Sequence, residues 1–176
     1  MRRSLLVVTL AVLVMLSGCA ALDGGDAAEP APNGSAVVEP EDPATDAADT
    51  TQSIRVTANE SVAGSEWSSL SAEYPRDSFT VDSVQHRDVG LGVDTNNDSE
   101  VDRELNETHI SGVNNNDYSF TVELDSGYTL EDGDVIVVEY PGITNPSEAG
   151  EYTVAVTIND AQTENATVTI GDDAGD

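Results

Sequence analysis

Beyond residue 52 the chain alternates apolar and polar positions. In DYSFTVEL, residues 117–124, Tyr118, Phe120, Val122 and Leu124 share one face while Ser119, Thr121 and Glu123 share the other. This period of two marks a half-buried strand. EYTVAVTI repeats it with Tyr152, Val154, Val156 and Ile158, and NATVTI continues it with Ala166, Val168 and Ile170. The intervening NDAQ predicts a hairpin. DVIVVEY is apolar at four successive positions, Val135 to Val138, as expected of a central strand covered on both faces. SIRVTA, SFTVDSV, VGLGV and THISGV are further strand candidates. Only SEWSSLSAEY, with Trp67, Leu70 and Tyr74 at helical spacing, points to a helix.

Turn signals punctuate these runs at Asn96-Asn97-Asp98, Asn114-Asn115-Asn116, Asp132-Gly133-Asp134, Asn145-Pro146 and Ala149-Gly150. Short strands at even spacing predict one all-β domain over residues 52–171, an antiparallel immunoglobulin-like β-sandwich, with 172–176 as an acidic tail.

The amino end follows a different pattern. Arg2 and Arg3 precede an apolar run from Leu5 to Leu16 that closes on small residues before Cys19. That order is the layout of an export signal, and the run is too short to span a bilayer comfortably, so residues 1–18 are set aside as a signal peptide. Residues 19–51 hold no aromatic and are rich in Ala, Asp, Glu, Pro and Thr. Such a segment buries too little apolar surface to offset its chain entropy, and it reads as a disordered acidic linker. As a flexible coil its ends would stand roughly 30 Å apart.

Charge narrows the setting. The chain carries 34 acidic residues against six basic ones and a formal net charge of −28. All six basic residues are arginines, at positions 2, 3, 55, 76, 87 and 103. Self-repulsion on this scale is relieved in molar salt, where the Debye length shrinks to ~3 Å. A folded halophilic protein is therefore expected. Nucleic acid and anionic membrane surfaces are excluded as partners of the domain, because both require a basic patch. The single cysteine, Cys19, rules out an internal disulfide and a thiolate metal cluster.

LSGC, Leu16 to Cys19, resembles the lipobox of lipoproteins, whose cysteine carries lipid, and RRSLL resembles a twin-arginine export signal. AEYPRDSFTVDSVQH, LGVDTNNDSEVDRE and the run from ISGVNNNDYSFTVEL to EYTVAVTIN together resemble a recurring domain of haloarchaeal surface lipoproteins. The resemblance covers about residues 60–160 and implies a β-rich fold and an address, with no activity attached. The expectation is a lipid-anchored extracellular protein on the outer face of the cytoplasmic membrane of an extreme halophile. It would be a structural or binding module and not an enzyme. Its partners would be the membrane, through lipid on Cys19, and surface-layer proteins, other envelope proteins or glycans. The alternatives are a ligand-binding accessory subunit of a transport system and a surface hydrolase.

Candidate chemistry is sparse. DTNNDSEVDRE, residues 94–104, sets Asp94, Asn96 and Asp98 at the first, third and fifth positions of a calcium loop. Ser99 and Leu105 then stand where such a loop wants glycine and a bidentate glutamate. Asp102 or Glu104 would complete a looser calcium site, the one cofactor the sequence suggests. The surface-domain resemblance implies a fuller loop in other members, with Asp-Gly where this chain has Asp98-Ser99. His86 and His109 lie in separate segments, and no Gly-x-Ser-x-Gly elbow accompanies them. Trp67, Tyr74 and Tyr118 would form a sugar platform if exposed, although core is the expectation. Asn33, Asn59, Asn97, Asn106 and Asn165 head N-x-[ST] sequons, the pattern of N-glycosylation acceptors.

Overall fold

Eleven strands supply nearly all the regular structure of residues 35–171, the part of the chain that the computed structural model describes. They are β1 (Ala36–Pro40), β2 (Thr50–Thr57), β3 (Ser69–Glu73), β4 (Thr80–Val81), β5 (Gly90–Asp94), β6 (Arg103–Leu105), β7 (Ile110–Asn116), β8 (Ser119–Leu124), β9 (Val135–Thr144), β10 (Gly150–Ile158) and β11 (Gln162–Ile170). Single 3-10 turns at His86–Asp88 and Glu107–His109 complete the set. Every strand pairing is antiparallel. One sheet runs β1-β2-β9-β5-β6, with β4 pairing the far end of β9, and the other runs β11-β10-β3-β8-β7. The molecule is thus an antiparallel β-sandwich of the immunoglobulin-like kind.

Alternation explains the core. Ile54, Val56, Leu91, Val93, Ile136, Val138 and Tyr140 of the first sheet are buried against Leu70, Ala72, Phe120, Val122, Val154, Val156, Ile158, Val168 and Ile170 of the second. Each valine, leucine, isoleucine or phenylalanine among them contributes about 1.5–3 kcal/mol by leaving water. The Phe120 and Tyr140 rings stack across the interior, 3.8 Å apart and 7° from parallel.

β9 is the central strand that its continuous apolar run predicts. Ile136, Val138 and Tyr140 belong to the inner core, yet Val135 and Val137 on the opposite face are also buried. Between β10 and β11, Asn159 and Asp160 take positive φ of 50° and 52°, and the Ala161 amide donates to the Ile158 carbonyl. This turn suits the right-handed twist of a hairpin.

Four expectations are corrected. SEWSSLSAEY forms strand β3 and its approach, and the described residues contain no α-helix. Leu70, Ala72 and Tyr74 are buried while Ser69, Ser71 and Glu73 face outward, so the period of two prevails. Its serines are also weak helix formers, because their hydroxyls compete for the backbone. Asn114-Asn115-Asn116 is the end of β7, and the turn falls one step later, where the Tyr118 amide donates to the Asn116 side chain. SFTVDSV yields only the two-residue β4.

The fourth correction concerns the linker. Residues 36–51 lie within the expected disordered span, yet β1 pairs with β2 from Ala36↔Val56 to Pro40↔Gln52 and buries Val38 in the core. Pro40, which cannot donate to a neighbouring strand, is tolerated because β1 is an edge. The acidic segment that follows is pinned from the other end of the chain. Buried Asn145 donates its side-chain amide to the carbonyls of Asp42 and Ala44, at 2.8 and 3.0 Å, and the Gly171 amide reaches the Pro43 carbonyl.

Candidate functional site

The stretch with the most chemistry, residues 94–104, is the β5–β6 connection and the start of β6. β5 delivers Asp94 to its end with the side chain wholly buried. The carboxylate accepts a hydrogen bond from an Nη of Arg55 at 2.9 Å. It also accepts the amides of Ser99 at 2.9 Å and of Asn96 and Asp98 at 3.3 Å. Arg55 stands on β2, separated from β5 by β9, so its side chain crosses the outer face of the central strand to reach the acid. The loop is thereby wound around one carboxylate whose charge a guanidinium offsets.

The other candidate ligands are engaged separately. Asn96 accepts from the Asp98 amide at 3.0 Å, and Asp98 from the Glu100 amide at 3.0 Å. Asp102 accepts from both the hydroxyl and the amide of Thr95, at 2.8 Å each. These bonds, the hydroxyl's first, hold the exposed Asp102 carboxyl below its ordinary value. Glu104 lies on β6 opposite Gly92. Among the described residues no three His, Cys, Asp or Glu side chains are grouped to hold a metal ion. Asn97 and Ser99 take left-handed φ of 57° and 74°, as a tight loop around a central acceptor requires.

Sequence reading missed Arg55, the partner that defines this site. Its signal was only an arginine set between Ile54 and Val56 in SIRVTA. The same loop brings Val101 over Gly92, where an added Cβ would lie 2.5 Å from a Val101 methyl. Gly90, Gly92, Val101, Val137 and Glu139 border the open depression that results.

A second buried acid lies at the same end of β9, just ahead of Val135, the residue that pairs with Asp94. Asp134 accepts from the Tyr128 hydroxyl and from the Glu131 amide, each at 2.8 Å. Arg103 stacks over the Tyr128 ring at 4.9 Å. Loss of hydration on burial, aided by that carboxylate, raises the Tyr128 phenol to about 12.

The sugar platform is not assembled. Trp67 and Tyr74 are core residues. Tyr118 lies outside β8, half-exposed beneath the Arg76 guanidinium at 4.1 Å, and not on the inner face that the alternation assigned it. His86 is exposed in its 3-10 turn, and His109 caps the next one by accepting the Asn106 amide on Nδ1 at 3.2 Å. Of the sequon asparagines, Asn106 and Asn165 are exposed and Asn59 and Asn97 are half-buried. Asn33, like Cys19 and the signal, lies outside the described residues.

No family model matches the chain, and no curated protein is similar to it. Several solved structures are distantly similar to it, and three of them follow. The collagen-binding subdomain of the Enterococcus faecalis surface protein ACE is 11% identical, with coverage of 81% of this chain and 99% of that one at a TM-score of 0.41. An uncharacterized Nocardia farcinica protein with an immunoglobulin-like fold is 16% identical, covering 77% and 97% at 0.41. The collagen-binding domain of a Staphylococcus aureus adhesin is 12% identical, covering 77% and 95% at 0.43. Likenesses this distant carry no ligand across, and what stands from the paired sheets themselves is an immunoglobulin-like β-sandwich.

Proposed function

We propose that this chain is a lipid-anchored extracellular protein of an extreme halophile, held to the outer face of the cytoplasmic membrane through Cys19. Its sandwich serves there as a structural or binding module toward envelope proteins or glycans. The observation that carries the reading is the placement of charge. Among the described carboxylates only Asp94 and Asp134 are buried, Glu164 is half-buried, and all the others are exposed on a surface without a single lysine. Such a skin is unfavourable in dilute buffer and tolerable in molar salt. The address comes from the arginines, the apolar run and the cysteine of residues 1–19.

The test is fractionation of cells expressing the full chain and its Cys19→Ser variant at high salt. The intact protein sediments with membranes, is reached by protease added outside, and lacks residues 1–18, whereas the variant is released. A wild-type chain found in the cytoplasm with residues 1–18 still attached would refute the proposal.

A further inference from the structure

Four of the five sequons lie within the described residues, and the fold treats them differently. At Asn59 the side-chain oxygen accepts the Ser61 amide and hydroxyl, but the nitrogen donates to Glu164 at 3.4 Å. Asn97 is half-buried in the loop around Asp94, at φ 57°. Asn165 is exposed, but its backbone is fixed in the β10–β11 ladder opposite Ala155. A transferase would meet it on a paired, extended strand and not on an open turn.

Asn106 is placed otherwise. It opens the Glu107–His109 turn, and Asn106, Glu107 and Thr108 are all exposed. Its side-chain oxygen accepts both the amide and the hydroxyl of Thr108. The two groups that the N-x-[ST] pattern pairs therefore already touch on an open turn. No described residue accepts from its side-chain nitrogen, whereas the oxygen alone serves the cap, so substitution at nitrogen leaves the turn intact.

We infer that Asn106 is the N-glycosylation site of the folded domain and that Asn59 and Asn97 stay unmodified. The donor is an oligosaccharide linked through phosphate to a lipid. The Asn106 nitrogen bonds to the anomeric carbon and gives up a proton to a base of the transferase. The bond from that carbon to the phosphate oxygen breaks, and the phosphate leaves on its lipid. No oxidant or reductant is needed. The inference rests on the reading that the chain is exported.

Trypsin resolves the question, because a lysine-free chain is cut only at arginine. Asn59 falls in peptide 56–76, Asn97 in 88–103, and Asn106 with Asn165 in 104–176. In the full chain recovered from an exporting, glycosylating host, mass spectrometry should find 104–176 carrying sugar. The shift should vanish in Asn106→Gln and Thr108→Ala, and persist in Asn165→Gln and Thr108→Ser. Exported protein that lacks residues 1–18 and carries a bare 104–176 peptide would overturn the assignment alone. So would a shift that survives Asn106→Gln, or sugar on 56–76 or 88–103. Protein retained inside the cell with residues 1–18 intact would overturn the export reading and the site together.

Discussion

Replacing Arg55 by methionine keeps much of the stem that lies over β9 but removes the charge facing Asp94. Asp94 has no exposed side-chain surface, whereas Arg55 retains 24%. Removing one partner of a buried pair costs about 3–5 kcal/mol, because the survivor is stranded without water. Three backbone amides still serve Asp94, and water reaches the Arg55 side, so the cost should sit near 3 kcal/mol. Asp94→Asn is milder, about 1–2 kcal/mol, since the stranded guanidinium can be hydrated and the amide oxygen still accepts part of the loop.

The informative variant is the double one. With no charge left to strand, Arg55→Met with Asp94→Asn should be more stable than Arg55→Met alone. Unfolding in urea, which is uncharged and leaves the ionic strength fixed, can be followed in molar KCl through Trp67, the only tryptophan and a fully buried one. A loss of 3 kcal/mol would lower the melting temperature by roughly 10 °C in a domain of this size. A double variant no better than Arg55→Met would refute the electrostatic argument and leave the packing of the arginine stem as the cause.

Three other outcomes are expected. Calcium should leave the wild-type melting temperature unchanged, because the guanidinium already meets the buried carboxylate. A rise equivalent to about 2.7 kcal/mol at a hundredfold excess over Kd, abolished by Asp94→Asn, would reinstate a metal site at residues 94–104. Gly92→Ala should cost about 1–2 kcal/mol through its collision with Val101, and Val101→Ala should recover most of it; equal losses in single and double variants would count against the contact. In alkali, burial raises Tyr74 well above the ordinary tyrosine value and holds Tyr128 and Tyr140 at about 12. These raised values favour the neutral phenol in the folded state, so their contribution is whole below about 10; that of Tyr128 and Tyr140 is lost as pH climbs toward 12, and that of Tyr74 only beyond it. Phenolate absorbance from these three should appear together with unfolding. Smooth titration of all five tyrosines with Trp67 still buried would contradict it.

The strands were legible wherever one face met the core and the other met solvent, because the pleat then writes itself as alternation. β8, β10 and β11 follow the pattern closely, while β9 showed itself instead by an unbroken apolar run. Two kinds of residue escaped. Val38 buries one side chain from an otherwise acidic, proline-bearing segment, and composition averaged over thirty residues conceals a single inward valine. Trp67 mimics helical spacing because it enters the core from the chain ahead of β3. The site was half-legible. Asp94, Asn96, Asp98 and Asp102 do organise one loop, but their spacing cannot tell a metal from a guanidinium, since either satisfies the same carboxylate. That choice was made by Arg55, 39 positions earlier, through a pairing of β2, β9 and β5 that no local pattern encodes.

If the chain is anchored at Cys19 as proposed, tension reaches the sandwich first through β1, an edge strand of its sheet. Any drag on the domain passes first into the five β1–β2 residue pairs. A pull along β1 strains all of them together, while a pull across it parts them singly, beginning at Ala36. The direction of tension thus sets how firmly the module is held. Once β1 peels away, the hydrogen-bonding edge of β2 is bared, and an open edge of that kind readily pairs with another chain. The strand at the amino end of the sandwich is thus also the cover of the β2 edge.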